Sequence, residues 1–430
     1  MDNAQALARL AELRKQLTDI RPIEERAKTT IPFFDWNISF SDVFSQGGFD
    51  IVIGNPPYFK YEGSHKGELE NLKKLPELKI AYGGKLNAYK LFLAKAINIL
   101  ARKDGIISYI FQNSYLADLQ AANLRKASID DNQIIVIDSF PERDNKKKRV
   151  FESVKMSVCV AILKKTKSFK PFKVNFWDDK NKSTGTQTQF TRDNIRAIDK
   201  EGYTIPRIKT DDIELVIKLK SCKTLPLKCF EGELNMTFHK PYFTGDENSP
   251  KILKGASIQK YFYTEQMSQG EIEYLDEAKY LADNGGEKSK HHEFARIAMQ
   301  GMTGANDRLR IVMAYVPEGF YLANSCNYLI PNDEYPAFYL LGLMNSKLIN
   351  WFFRRFSTNS NVNGYEVEAF PVPIASGDDK EKIAKLTEEI VVAKQKNRYA
   401  DTSDLESKID ELVYDLYKLE ETEKNKIRNS

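Results

Sequence analysis

The chain has 430 residues, with 64 lysines and arginines against 60 aspartates and glutamates, for a formal net charge of +4 at pH 7. This length suits about two or three domains, and a polar start with no long apolar run reads as neither a secretory leader nor a membrane span, so a cytoplasmic protein is expected. Cys159, Cys222, Cys229 and Cys326 lack paired spacing and there are only 4 histidines, which argues against a metal site or a disulfide framework; the small net charge cannot itself argue for nucleic acid.

Positions 5–28 predict a helix, with Leu10, Leu13, Leu17 and Ile20 at alternating three- and four-residue spacing. The run from Phe49 to Gly54 then predicts a buried strand that stops on Asn55, Pro56, Pro57 and Tyr58. In open α/β sheets ligands sit just beyond the carboxyl ends of such strands. Two successive prolines fix two φ angles and donate no N–H, so the Pro56 carbonyl and the Asn55 side chain can be held open as acceptors. Tyr58 offers a flat face beside them. This set suits a planar amine whose lone pair is delocalised into a ring, as in adenine. Hydrogen bonds to Asn55 and Pro56 would draw the nitrogen toward a tetrahedral geometry and aim its lone pair at a methyl donor, which is catalysis by positioning and electrostatics. No strong base is needed, because the amine becomes acidic once methylated. An isolated Pro-Pro pair is otherwise only a stiff turn.

Farther along, a helix ending near Leu100 and a Lys103-Asp104-Gly105 turn lead into a predicted strand from Gly105 to Asn113. Arg143, Lys146, Lys147, Lys148 and Arg149 form a basic loop just ahead of Phe151, and a further strand is predicted from Met156 to Leu163. Such a charge run is as readily a solvated loop as a phosphate contact. After Leu163 a polar, Thr-rich stretch through Thr191 reads as a connector. From about Thr224 to Ile374, short apolar and aromatic runs broken by Gly, Asn and Pro predict a mixed α/β module, with one helix over 336–353. Arg354, Arg355, Asn359, Ser360, Asn361 and Asn363 leave that helix as a polar loop. Arg and Asn carry the forked patterns that read guanine and adenine edges, and Lys254, Arg308 and Arg310 have similar standing. Two helical stripes close the chain: Ile383, Leu386, Ile390 and Ala393, then Leu405, Ile409, Leu412, Leu416 and Leu419 behind a Ser403/Glu406 capping box. These seams are expected to pack on each other or on the helix at 5–28.

The tetrad resembles the Asn-Pro-Pro-Tyr signature of the amino-methyltransferases that use S-adenosylmethionine. Its context is similar to the type IIG restriction-modification enzymes and their adenine-specific DNA methyltransferase relatives. The likeness is carried by Phe33 through Tyr58, including Phe34, Asp35, Trp36, Asp42, Val43 and Phe44, and by Val150, Phe151 and the strand after them. In Asn87-Ala88-Tyr89-Lys90-Leu91-Phe92, Tyr89 and Phe92 match a family helix from which Asn87 departs. Lys251 to Tyr261, Arg308 to Tyr315 and Tyr335 to Arg355 resemble target-recognition domains. The resemblance implies an α/β fold: an N-terminal helix in 1–30, a partial Rossmann-like methyltransferase sheet in 31–168, a connector in 169–223, a mixed α/β target-recognition domain in 224–376 and C-terminal helices in 377–430. It further implies that Asn55 and Pro56 orient the amine, that Tyr58 and Phe151 sandwich a flipped adenine, and that Asn55 and Pro57 touch S-adenosylmethionine. Double-stranded DNA is the implied partner, with Lys146, Lys147, Lys148 and Arg149 on its phosphates.

The family also carries, ahead of this strand, a Gly-rich strand-to-helix turn for the cofactor, and type IIG enzymes an N-terminal endonuclease. Neither is legible here. Gly301-Met302-Thr303-Gly304 is the one near candidate, and a recognition-domain loop explains it better. The chain thus reads as the downstream half of such an enzyme. An alternative is a DNA-binding specificity module, inactive alone, whose cofactor half or nuclease comes from a second polypeptide. A third reading, a glutamine methyltransferase acting on release factors, shares the tetrad but places it late in a shorter chain.

Overall fold

The computed structural model describes residues 9–17, 34–61, 66–84, 86–265, 271–304, 308–357 and 360–429. Strands β1 (Phe49–Gly54), β2 (Ala101–Gln112), β3 (Gln133–Phe140), β4 (Val158–Lys164), β5 (Phe172–Trp177) and β6 (Gly185–Phe190) form one sheet in the order β1-β2-β4-β3-β5-β6. β1 and β2 are parallel, β4 runs antiparallel to β2 and β3, β5 is parallel to β3, and β6 is antiparallel to β5. The carboxyl ends of β1, β2, β3 and β5 therefore share one edge of the sheet. Ile107, Tyr109 and Phe111 alternate along β2 and are buried, as a strand with one face on a core requires. Tyr89 on the helix Ala88–Lys95 stacks on Phe111 at 5.2 Å between ring centroids.

The expected turn at Lys103-Asp104-Gly105 is instead a bulge within β2. Phe49 pairs with Ala101 and Ile51 with Ile106, so β2 advances farther than β1 over this stretch. Asp104 takes φ 65°, and a Cβ on Gly105 would stand 2.9 Å from the Phe49 carbonyl oxygen. Only glycine fits so close to the partner backbone. The predicted connector also differs from expectation, because β5 and β6 lie inside it and extend the sheet. Arg125, fully buried, fastens this extension: its guanidinium donates to the carbonyls of Gly202, Tyr115 and Asp118 at 2.6–2.9 Å.

Beyond the sheet, residues 296–300 pair antiparallel with 313–316 and 326–329, and the latter with 229–231. A second small sheet is built from 321–322, 251–253, 273–275 and 243–244. The predicted single helix over 336–353 is two, Ala337–Met344 and Lys347–Phe356. Asn345 breaks it because its carboxamide bonds both backbone groups of Met313, at 3.0 and 2.9 Å, and Ser346 caps the second helix. The C-terminal helices are Gly377–Lys396, Ser403–Leu416 and Glu421–Arg428, the third of which was not foreseen. The first two pack on each other and on Ala337–Met344. The Ser403/Glu406 capping box is not formed: Thr402 is the cap, and its hydroxyl donates to Glu406 at 2.8 Å. The second stripe ends at Leu416, where Lys418 takes φ 52° and the chain turns. In the described part of the N-terminal helix, Leu10, Leu13 and Leu17 are exposed; Ile20 lies outside the described residues. Among the described residues no helix is long and apolar enough to cross a membrane.

Gly342 is where two of these helices come closest. A Cβ there would sit 2.3 Å from the Thr387 hydroxyl oxygen and 2.8 Å from an Ile383 methyl. Gly342→Ala is expected to lower stability by about 1–3 kcal/mol through overpacking, with part of the loss recovered in Gly342→Ala/Thr387→Ala. Urea denaturation midpoints check both.

Candidate catalytic and DNA-binding site

β1 ends at Gly54, paired with Tyr109, and the chain leaves the strand through Asn55, Pro56, Pro57 and Tyr58 without regular secondary structure. Pro56 is buried, Asn55 and Pro57 are exposed, and Tyr58 is half-buried. The Tyr58 hydroxyl donates to the Ile110 carbonyl at 3.2 Å, which pins the ring to β2. Burial, with the Cys159 thiol nearby, pushes the Tyr58 phenol up to about 12, so it stays protonated and keeps that bond. Past the tetrad, Ala88 N–H donates to the Phe59 carbonyl and Tyr61 N–H to that of Leu86, both at 2.9 Å. This pairing sets Asn87 beside Lys60, and the Asn87 carboxamide oxygen is buried with no hydrogen-bond partner. Lys90 closes the same corner, donating to the carbonyls of Gly83 and Gln120 at 3.0 and 2.9 Å; burial pulls its ammonium down to about 8.

Phe151, distant in sequence, meets Tyr58 at 6.0 Å between centroids and an interplanar angle of 63°. The two rings expected to sandwich a base therefore touch edge-to-face, and such a pair leaves no slot between them. A base stacked between both requires the 141–157 segment to draw Phe151 back. A cavity of about 600 Å³ near Lys60 also receives Asn361, Asn363 and Tyr365 from the following module, so the tetrad's flank and the predicted recognition loop face one space.

The other expected residues divide by surroundings. Lys146, Lys147 and Lys148 are exposed, as is Arg308. Asn361 is exposed and bridges to Met302, which makes 301–304 part of a paired loop rather than a cofactor turn. Three of the residues expected on DNA hold contacts within the chain. Arg310 is 2% exposed, bonded to the Thr303 hydroxyl at 2.7 Å and lying over the Phe353 ring, so its role is internal. Arg149 bonds the carbonyls of Arg143 and Glu152 and staples its own loop. Lys254 is held by Glu273 at 2.7 Å. Arg354 and Arg355 are half-buried, and Asn359 lies outside the described residues. Arg207 joins them from the predicted connector, where a single arginine after Pro206 carried no signal.

Among the described residues, no strand pairs with the edge of β1 away from β2. Ile51 and Ile53 are 65% and 78% exposed, beside Phe34 at 58% and Ile38 at 67%. Neighbouring Trp36, Phe40 and Phe49 pack as an aromatic cluster with centroids 5.2–6.0 Å apart. Among the described residues no Gly-rich strand-to-helix turn precedes β1.

Comparison with known proteins agrees with this division. Residues 1–146 match the family model of the Eco57I restriction-modification methylase, and residues 250–372 that of the TaqI-like C-terminal specificity domain. A protein of Methanocaldococcus jannaschii assigned as a type II restriction enzyme and methyltransferase is 23% identical over 423 residues, covering 92% of this chain and 33% of its own length. The Type IIL restriction-modification enzyme MmeI, solved in complex with DNA, shares the fold at a TM-score of 0.58 and 10% identity, over 92% of this chain and 59% of that one. The chain thus spans a third to three-fifths of the length of these relatives. A segment matching a restriction-modification methylase model, which holds the tetrad, is thus followed by one matching a specificity domain, so the chain is similar to restriction-modification methylases that carry their own recognition domain.

Proposed function

We propose that this chain is the catalytic and recognition part of an adenine-specific DNA methyltransferase of a restriction-modification system, acting on a base flipped out of double-stranded DNA. The observation that carries this reading is the tetrad at the carboxyl end of β1, with the Asn55 side chain exposed, Pro56 buried next to it and the Tyr58 ring pinned to β2. The amine of the flipped base donates one N–H to the Asn55 carboxamide oxygen and the other to the Pro56 carbonyl, and its lone pair is freed for attack. Tyr58 supplies one stacking face and Phe151 the second once it withdraws, which offsets an unstacking cost of a few kcal/mol. Lys146, Lys147 and Lys148 hold backbone phosphates, while Arg308 and Asn361 stand where bases can be read.

S-adenosylmethionine is the proposed methyl donor, and when bound it supplies the electrophilic methyl group. Asn55 and Pro57 suit contact with its reactive end. The described residues offer no cradle for its remainder, so the fit is partial and no step is drawn through it. A second reading rests on β1 as the edge strand of the described sheet, with Ile51 and Ile53 exposed on its face: a second polypeptide adds a strand to that edge, covers that face and brings the cofactor half, and this chain alone binds DNA without turnover.

Calorimetric titration of S-adenosylmethionine into the chain separates the two. Micromolar binding favours a cofactor site within this polypeptide; no binding beside salt-dependent DNA affinity favours completion by a partner. DNA affinity that ignores salt removes both. Phe151→Ala is expected to slow methyl transfer by about 5–150-fold, the equivalent of about 1–3 kcal/mol of stacking, with unchanged binding to non-cognate duplex. A 2-aminopurine placed at the target base reports the flipped population directly.

A further inference from the structure

A cavity of about 520 Å³ opens where β3 and β5 end and the helix Lys347–Phe356 gives out. Five cations line it: Lys148, Arg207, Lys209, Arg354 and Arg355. They come from three separate stretches of sequence, and the Arg207 backbone N–H donates to the Arg355 carbonyl at 2.7 Å, locking two of those stretches together. The three carboxylates at this wall are committed elsewhere in whole or part. Asp178 accepts from Arg207 at 3.1 Å, Asp212 accepts from the Lys209 backbone at 3.3 Å, and Glu142 accepts from the backbones of Asp144 and Asn145 at 2.7 and 2.9 Å.

Arg354 and Arg355 make no ion pair among the described residues. Arg355 lies over the Trp351 ring, 4.8 Å from its centroid, and its Nε is buried with no hydrogen-bond partner. Burial pulls Arg355 down to about 10 and lowers Arg207 as well; Asp212 and Asp178 offset this only in part, and Arg354 adds like-charge repulsion to both. Three guanidiniums withdrawn from water in one cavity, with Asp178 the one carboxylate ion-paired to any of them among the described residues, are costly unless a further anion completes the set. The planar guanidinium fork matches the oxygens of a phosphate, and the Thr184 and Thr186 hydroxyls lie on the same wall.

The position follows from the sheet. β3 and β5 end on the same edge as β1, three and four strands away in the order of the sheet. At about 4.8 Å per strand the cavity lies roughly 14–19 Å from the tetrad, on the side where a substrate enters. At about 3.4 Å of rise per step, this is a distance of roughly four to six base pairs.

We propose that Arg207, Arg354 and Arg355, with Lys148 at the mouth, form a phosphate-binding site that clamps the DNA backbone several base pairs from the target base. The proposal rests on the DNA-methyltransferase reading above for the source of the phosphate, not for its chemistry. It takes Arg354 and Arg355 from base reading to backbone positioning and adds Arg207, which no sequence motif marks.

The test compares the full chain with Arg354→Gln and Arg355→Gln, each matched to the parent by near-ultraviolet circular dichroism. Arg354 makes no hydrogen bond or ion pair among the described residues, so Arg354→Gln remains informative if Arg355→Gln unfolds. Duplex binding is followed by fluorescence anisotropy across a salt series on two unrelated sequences, and inorganic phosphate and pyrophosphate are titrated separately by calorimetry. The expected result is a loss of affinity equal on both sequences and a salt slope reduced by about 0.9 for each phosphate contact removed. Binding of inorganic phosphate or pyrophosphate that Arg354→Gln abolishes, with DNA binding unaltered, supports the site and assigns it a free anion. Loss confined to one sequence overturns the proposal in favour of base reading. Unchanged DNA slopes in both variants, together with no arginine-dependent phosphate binding, overturn it outright. A parent chain that binds no DNA at any salt sinks the DNA reading alone, and the phosphate titration still decides the site.

Discussion

Replacing Asn55 by alanine is expected to reduce methyl transfer about 10²–10³-fold, the range for deleting one preorganised polar contact to a group whose charge develops in the transition state. Affinity for duplex DNA should be unchanged, because the side chain is exposed at the end of β1 and holds none of the described framework bonds. Asn55→Asp separates two accounts of the loss. A carboxylate still accepts a hydrogen bond from the amine, so appreciable activity in Asn55→Asp with none in Asn55→Ala identifies acceptor geometry as the lever. Equal loss in both identifies the amide's own N–H groups, facing the donor side. The measurement is transfer of labelled methyl to plasmid DNA, made with the partner present if the chain alone is inert. Full activity in Asn55→Ala would remove the tetrad from the mechanism.

The second large effect is on folding. Arg296 and Glu233 form an ion pair whose side chains are both 0% exposed, at the junction of the two small sheets of the recognition module. Arg296 also donates to the Phe320 carbonyl, and the other oxygen of Glu233 accepts the Leu322 N–H at 2.9 Å. Removing one partner strands the other charge in the interior. Arg296→Leu is expected to cost about 3–5 kcal/mol, a large share of the about 5–15 kcal/mol that holds a typical domain. Arg296→Leu/Glu233→Leu should recover much of that loss, because an apolar pair of similar bulk removes both desolvation penalties. Urea denaturation followed by tryptophan and tyrosine fluorescence measures each. A single variant within 0.5 kcal/mol of the parent would mean that water or relaxation screens the site.

The tetrad was legible because its chemistry is local. A strand, two rigid prolines and an acceptor on either side are contiguous from Phe49 to Tyr58, and neighbours along the chain dictate their conformation. Phe151 was legible only through family resemblance, and its contact with Tyr58 came with a difference in angle that no spacing could convey. The recognition residues fared less evenly. Arg310, Lys254 and Arg149 look in sequence like Arg308 or Lys147, yet they serve Thr303, Glu273 and a loop backbone. A cation's role depends on what stands within 3 Å of it. The single predicted helix over 336–353 failed for the same reason, since the residue that ends it, Asn345, acts by bonding a strand far away in sequence.

What the sequence determined by itself was the set of elements that depend on neighbours along the chain: the strand that runs into Asn55, the strands at the cores of β2 and β4, and the amphipathic C-terminal stripes. The tertiary structure decided which edge of β1 pairs with β2, that β5 and β6 extend the catalytic sheet, and that Arg207, Arg354 and Arg355 converge on one cavity. Strand pairing and charge clustering join residues hundreds of positions apart, and no periodicity along the chain records which of them will meet.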